Sequence, residues 1–415
     1  MLESFVRDSI QEHMEHLNLY ARCQHGFRKN RSCITQLLQV LNDFSNYIDQ
    51  GTPFDAIYLD FRKAFDTVPH QRLLTKLKAY GITGNLYHWI ESFLTDRTQY
   101  VRVGKEYSST SPVSSGIPQG SVLGPILFVI FINDLPEGLK SVCGIFADDT
   151  KIHNKCEYHS TIQSDISKLE IWSETWQLYF NNGKCKCVHY GHNNPKHKYY
   201  FNTKDGPVEI AEADTEKDLG VIFDSSLKFD QHIKAAVNKA NAVLGLIKRN
   251  FEFIHENIFL KLYKALVRPH LEYGQSVWSP HLVRQSVLIE NVQRRASKLV
   301  KKLSNLSYDE RLRSLKLPSL KYRRLRGDLI TVYNIIKQDN VDDSILTLSN
   351  TKVTRGHDLK LYKENSKTNF RKFSFSQRVI NYWNALTTNT VHANTVNAFK
   401  KLLDENLKNL HYVYD

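Results

Sequence analysis

The sequence has little of what would tie it to secretion, to a zinc scaffold or to a membrane. Its six cysteines (Cys23, Cys33, Cys143, Cys156, Cys185 and Cys187) include no C-x-x-C pair. Only Cys185 and Cys187 are close neighbours, and residues two apart on a strand share a face without building a zinc site. All six are expected to be reduced thiols of an intracellular protein, with nucleus and cytoplasm left open. No hydrophobic signal core opens the chain, because residues 1–8 already read as amphipathic helix. The longest apolar stretch, Val122 to Ile132, is interrupted by Gly124 and Pro125 and falls well short of the roughly 20 residues that span a bilayer. No membrane partner is expected, and no internal repeat or low-complexity tract is present.

What remains is an ordinary globular composition, 41% hydrophobic and 24% charged over 415 residues, a length that calls for two or three packed units. Lys and Arg number 56 against 43 Asp and Glu, a net charge of +13 that favours polyanionic partners. Composition alone does not separate a nucleic-acid binder from a merely basic protein.

Two helices are expected within residues 1–50, around a cationic turn from Gln24 to Ser32, with Ser32 capping the second. The run Ala56-Ile57-Tyr58-Leu59 reads as a buried strand that stops at Asp60. Two helices follow, ending near Tyr80 and Phe93, and Tyr100 to Val103 alternates as a sheet edge would. A Gly116-to-Ser121 loop leads into an apolar helix that ends near Asn133. Val142 to Phe146 and Thr150 to Ile152 pattern as a hairpin with Asp148-Asp149 at its tip. A helix over 161–180 and short strands near 186–190 and 219–223 complete an α+β pattern. Beyond about residue 228, strand signals give way to long helices bearing Lys234, Lys239, Lys248, Arg249, Lys261, Lys264, Arg268, Arg294, Arg295, Lys298, Lys301 and Lys302. Breaks are expected at Pro318 and across 337–351.

The chemistry-bearing residues are carboxylates at strand ends. Phosphoryl or nucleotidyl transfer uses two divalent ions about 3.5–4 Å apart, held by hard oxygen ligands on rigid elements. Asp60 closes one buried strand and Asp148-Asp149 tip a hairpin, each behind apolar residues. A plain alternative stands beside each feature. Asp60 can be a helix N-cap and Asp148-Asp149 a turn; Asp342-Asp343 shows how little such a pair means in a polar stretch. Phe65, five residues on, either presses on a sugar 2′ position or belongs to the core. The Gly116–Gly120 loop either admits a ligand against its backbone, with Gln119 hydrogen-bonding it, or is an ordinary turn.

Taken together, the stretch Ala56 to Asp66, the loop Gly116 to Pro125 and Phe146-Ala147-Asp148-Asp149 resemble, in order and approximate spacing, the motifs of reverse transcriptases. The resemblance is to the non-LTR (LINE-type) group, and most closely to jockey-like elements. Gln24-His25-Gly26-Phe27-Arg28 matches the element before the first catalytic strand, Asn181 with Lys184 the fourth motif, and Asp218 to Phe223 the closing hairpin near the primer end.

The resemblance implies an α+β right-hand polymerase with an antiparallel sheet and packed helices, followed by a mainly helical thumb and carboxy-terminal region. Residues 1–55 would be partial fingers and 56–227 the palm with remaining fingers elements. Residues 228–340 would be a helical thumb and 341–415 a carboxy-terminal extension. It implies Asp60, Asp148 and Asp149 as catalytic metal ligands, and two Mg2+ ions, with Mn2+ as the alternative. Phe65 would be the sugar gate, Gln119, Gly120 and Arg28 substrate contacts, and Lys184 a phosphate contact or proton donor to pyrophosphate, against the plain reading of a solvated turn lysine. The partners would be an RNA template, a DNA primer and dNTPs; protein partners are not indicated.

The basic helices fit a thumb that follows nucleic-acid backbones, although solvated helix faces carry such charges in many proteins. The aromatics of the later segment Phe373 to Asn384 are expected to pack rather than stack on bases. The chain begins just short of the Gly-Phe-Arg element, which is expected to mark an amino-terminal truncation lacking a fingers strand and an endonuclease domain. Two functional readings follow. One is an RNA-directed DNA polymerase of a mobile element; the other is an impaired or domesticated remnant that only binds nucleic acid. A maturase-type role would need a region this carboxy-terminal sequence does not resemble.

Overall fold

A computed structural model of the chain describes residues 2–204, 206–337, 345–350 and 356–414. The chain forms two compact units, one of residues 1–36 and 52–216, the other of residues 37–51 and 217–415.

The first unit is built on a five-stranded sheet of β1 (Phe54–Leu59), β2 (Val142–Phe146), β3 (Asp149–Lys155), β4 (Lys186–Tyr190) and β5 (Ala211–Glu212), in the order β5-β4-β1-β3-β2. β1 lies centrally, antiparallel to both neighbours, with Leu59 opposite Thr150 and Asp55 opposite His189. All six β1 residues are buried, which is why Ala56 to Leu59 form a continuous apolar run rather than an alternating one. The helix Gly124–Phe131 is apolar on every side and buried except at the half-buried Pro125 of its first turn. It packs in one core with helices Leu2–His16, His70–Ala79, Gly84–Leu94 and His159–Trp176, through Ile10, Leu73, Leu77, Ile90, Leu127, Ile130, Ile166 and Leu169.

The strand expected at Tyr100 to Val103 is corrected. This region forms two-residue ladders, Thr98–Gln99 with Ser111–Pro112 and Arg102–Val103 with Glu106–Tyr107, apart from the central sheet. Every ladder residue is exposed, so the alternation selects no buried face. The six cysteines are free thiols, as expected.

One buried charge organises the far end of β1. Asp55 is fully buried and accepts hydrogen bonds from His189 Nδ1 (2.6 Å), Tyr199 Oη (2.6 Å) and Asn194 Nδ2 (3.0 Å). Burial opposes ionisation, but donation from His189, Tyr199 and Asn194 outweighs it and holds the carboxyl below the usual carboxylate range. A group with a depressed folded pKa stabilises above its unfolded value, and that contribution is lost as pH falls through the folded one. Asp55→Asn is therefore expected to cost about 2–4 kcal/mol at neutral pH. Urea unfolding should show this difference shrinking in acid; a neutral-pH difference within error would remove Asp55 from the stability of the sheet.

The second unit is helical after residue 228 among the described residues, apart from one isolated bridge, Leu348 to Leu361. Its long helices are Asp230–Asn250, Val283–Ser297 and Leu320–Lys337, and they bury Ile233, Val237, Ile289, Val292, Leu329 and Val332. Residues 37–51 of the helix Cys33–Asp49 and its end belong here because the carboxy-terminal segment bonds to them. Arg371 donates to Asn42 Oδ1 (2.6 Å) and Ser45 Oγ (2.8 Å), and Asp49 accepts from the Thr368 amide (2.7 Å). Phe375 and Trp383 are buried and Phe373 stacks on His281, so these aromatics pack, while Tyr382 is exposed. Part of the break expected over 337–351 lies outside the described residues. No described helix is long and apolar enough to cross a membrane.

Candidate active site

The site lies in the first unit, where three chain segments meet at one end of the sheet. β1 delivers Asp60 one residue beyond Leu59, and the β2–β3 turn carries Ala147 and Asp148 beside it, because Leu59 pairs with Thr150 and Phe146 with Asp149. Asp148 is half-buried, and its carboxyl is raised above the ordinary range by desolvation and then by repulsion from Asp60. The two carboxylates are thus close enough to repel one another, an arrangement a cation would relieve. Lys184 supplies one: its Nζ lies 3.2 Å from Asp60 Oδ2, on a largely exposed side chain. Asp149 opens β3 with an exposed side chain. Among the described residues, no three His, Cys, Asp or Glu side chains are already grouped to hold a metal ion. Asp60 and Asp148 fit hard-cation chemistry in donor type and proximity.

Local structure fixes each partner. The turn that carries Lys184 is bonded to Asp60 itself: the Asn181 amide donates to the Asp60 carbonyl (2.7 Å), and the Lys184 amide donates to the Asn181 carbonyl (2.8 Å). Cys185 Sγ accepts from the Asp60 amide at 3.5 Å. On the other side, the Gln24–Gly26 element runs beside β2, with the His25 amide on the Ile145 carbonyl (2.9 Å). Gln24 Oε1 accepts from the amides of both Gly26 (2.6 Å) and Ala147 (3.1 Å). Ala147 has φ 54°, the left-handed conformation in which Asp148 is presented.

The Gly116–Gly120 loop is bound to the segment after Asp60. The Gly116 amide donates to the Val68 carbonyl and the Ile117 amide to the Phe65 carbonyl, both at 2.8 Å. Gly116 has φ 88°, and a Cβ there would sit 2.6 Å from the Asp66 carbonyl oxygen, so only glycine fits. Gln119 Nε2 donates to Asp66 Oδ1 (2.8 Å). Gly120 has φ 86° and open space where a side chain would be. Phe65 is half-buried and stacks on Phe128, ring centroids 4.3 Å apart. Arg28 lies on the Gln24 element, committed to Glu15 (3.2 Å) and the Ala21 carbonyl (3.1 Å), with its guanidinium over Tyr20.

Sequence reading did not single out Gln24, Asp66 or Cys185. Gln24 clamps the backbone amides of Gly26 and Ala147, and Asp66 holds the Gln119 side chain, roles that no residue pattern signals. Cys185 carries no sequence signal beyond that of a free thiol.

An α+β chain whose sheet, antiparallel except for the parallel edge strand β5, presents two mutually repelling carboxylates at one end, clamped by glycine-containing loops, is a protein of the palm-polymerase class. The chain belongs to the reverse transcriptase (RNA-dependent DNA polymerase) family, whose pattern matches residues 1–229. It is 26% identical over 315 residues to the probable RNA-directed DNA polymerase from transposon X-element of Drosophila melanogaster, covering 72% of this chain and 34% of that protein. To the RNA-directed DNA polymerase from mobile element jockey of Drosophila funebris it is 28% identical over 344 residues, covering 77% and 36%. These relatives bear out the expected jockey-like, non-LTR likeness, and the chain spans about a third of their length. Among solved structures, apo telomerase from Candida tropicalis is similar with a TM-score of 0.43 at 13% identity, over 82% of this chain and 59% of that one.

Proposed function

We propose that this chain is an RNA-directed DNA polymerase of a mobile element, adding deoxynucleotides from dNTPs to a DNA primer 3′-hydroxyl on an RNA template. The observation that carries the reading is the approach of Asp60 and Asp148, brought together by adjacent strands although 88 positions apart in sequence. Asp60 and Asp148, joined by Asp149 from the start of β3, would hold two magnesium ions, with manganese as the alternative. Bound there, the ions supply Lewis-acid charge to the attacking hydroxyl and the leaving phosphate.

The chain's own residues do the positioning. Phe65, its ring fixed against Phe128, restricts space beside the sugar 2′ carbon. Gly120 leaves room for a nucleotide to approach the backbone, and Gln119 can turn from Asp66 towards it. Lys184 exchanges Asp60 for the triphosphate and can donate a proton to pyrophosphate. Arg28, committed to its local network, acts by holding the Gln24–Gly26 element under the Asp148 turn. In this reading residues 1–55 are partial fingers, 56–227 the palm with remaining fingers elements, 228–340 the thumb and 341–415 an extension. The exposed cations Lys234, Lys239, Lys264, Arg294, Arg295 and Lys298 would follow nucleic-acid phosphates, making binding strongly salt-dependent.

The test is primer extension by the purified chain on an RNA template with magnesium. Metal-dependent, template-directed incorporation is the expected result; salt-sensitive RNA binding without synthesis would replace this reading with that of a nucleic-acid-binding remnant. Lys184→Met separates the two lysine roles: a kcat about a hundredfold lower marks a proton donor. A raised KM for dNTP with kcat intact assigns it to binding alone.

A further inference from the structure

The second unit contains a cavity of about 320 Å3 far along the chain from the carboxylates, lined by residues of the helices Val283–Ser297 and Leu320–Lys337 and of the carboxy-terminal segment. At its wall lies Arg324, 5% exposed. One guanidinium nitrogen, Nη2, donates to Ser286 Oγ at 2.8 Å. The other, Nη1, is buried without a hydrogen-bond partner among the described residues. A buried charged donor left unmatched is costly, and an acceptor entering the cavity would remove that cost. The neighbouring Arg378 has no such capacity, since its guanidinium is bound to Asp328 through both oxygens (2.9 and 3.1 Å). Burial lowers the Arg324 pKa to about 10, so it stays cationic at neutral pH.

The cavity's rim is of a different character. Val283 is 71% exposed, and Val287, Tyr382 and Val413 are also exposed, an apolar collar around a cationic wall. Exposed aliphatic side chains gathered around a pocket are a feature of protein-binding sites, where a desolvated anchor sits inside an apolar ring. Arg324 Nη1 is a single buried open donor, which matches one carboxylate oxygen, and Lys321 adds positive charge to the lining. A phosphate would bring up to two charges and a tightly held hydration shell through an aliphatic collar to one buried open donor.

We propose that this cavity docks a peptide segment of a protein partner in which an acidic side chain is flanked by aliphatic ones, the carboxylate reaching Arg324 Nη1 and the aliphatic groups covering Val283, Val287 and Val413. The site is independent of the polymerase reading and is tested without nucleotide synthesis.

The probe is a phage-displayed library of random peptides panned on the whole chain, with a Val283→Asp chain for counter-selection. Val283 is solvent-facing, so that substitution leaves the fold intact while placing a like charge at the rim. Enrichment of acid-plus-aliphatic sequences is expected. The selected peptide, measured by fluorescence polarisation, should bind at least tenfold more weakly to Val283→Asp. Its own acid-to-amide version should lose at least tenfold on the unaltered chain. Arg324→Gln should abolish the distinction between acid and amide, and is read only if circular dichroism shows the variant folded. Failure to enrich over the counter-selected chain, or enrichment of peptides without an acid, overturns the proposal. So does binding of AMP that Val283→Asp removes, which would reassign the cavity to nucleotides.

Discussion

Asp148→Asn is expected to lower primer extension by at least about a thousandfold, some 4 kcal/mol of transition-state stabilisation, while the protein remains folded. The substitution keeps the shape of the side chain and removes one oxygen's negative charge, so it tests charge rather than packing. Without divalent ion it should not destabilise the chain at all. Burial and the nearby Asp60 raise the Asp148 carboxyl above its ordinary range. A carboxyl of that kind binds its proton more tightly folded than unfolded, so its contribution to stability falls as pH rises from the unfolded pKa through the folded one. At neutral pH the ionised group is a net cost that asparagine does not carry. The urea midpoint of the variant at pH 7 should therefore equal or exceed that of the parent, with the two converging in acid. Added magnesium should raise the parent's midpoint more than the variant's, because ligand binding to the folded state alone is what stabilises it. Parent-like extension by Asp148→Asn would end the catalytic assignment. A variant that is inactive but also unfolded would leave charge untested, and for that reason the unfolding curve is part of the measurement.

Much of this arrangement was legible in the sequence because the relevant signals are local. The continuous run from Ala56 to Leu59 could be read as a buried strand, since a strand packed on both faces needs no alternation. The helices at 33–49, 70–79 and 84–94 followed from apolar spacing, and Ser32 Oγ does accept from the Thr35 amide as an N-cap (3.2 Å). What the sequence withheld was pairing at a distance. The short ladders of residues 98–112 look like sheet because alternation in sequence says nothing about whether a buried face exists to receive it. Nothing in the pattern of residues 37–51 ties that half-helix to a segment more than 300 positions later; the tie is made by Arg371 and Thr368 reaching Asn42, Ser45 and Asp49. The same holds at the carboxylates. Asp60 and Asp148 stood out as strand-end acids, whereas the amide-to-carbonyl bonds that lock Asn181 onto Asp60 carry no side-chain signature.

Gly26→Ala is expected to disable the site from a position that touches no substrate. A Cβ at residue 26 would lie 2.5 Å from the Ala147 amide nitrogen and 3.2 Å from its Cα, distances that backbone atoms cannot yield by rotating a side chain. It would also press on Gln24 Oε1 at 3.0 Å, the atom that receives the Gly26 and Ala147 amides. Relief therefore requires the β2–β3 turn to move, and Asp148 is the next residue in it. Ala147 already holds a left-handed φ of 54°, leaving that turn few alternative conformations. A displacement approaching an ångström at a positioned group costs on the order of a hundredfold in rate, and overpacking of this kind costs about 1–3 kcal/mol of stability. Gly183→Ala supplies the contrast within the same site. Gly183 sits in the turn that leads to Lys184, outside the left-handed region, and its added Cβ would meet only Asn181 Oδ1 at 3.7 Å, an ordinary contact. Extension by Gly183→Ala should stay within about threefold of the parent, by the energetics of substitutions free of clash and strain. Comparable losses in the two alanine variants would mean that the site tolerates no change of any kind near it, and the specific support of Asp148 by the Gln24–Gly26 element would fall. A large loss confined to Gly26→Ala places the precision of the carboxylate pair in a backbone contact between two motifs more than a hundred residues apart.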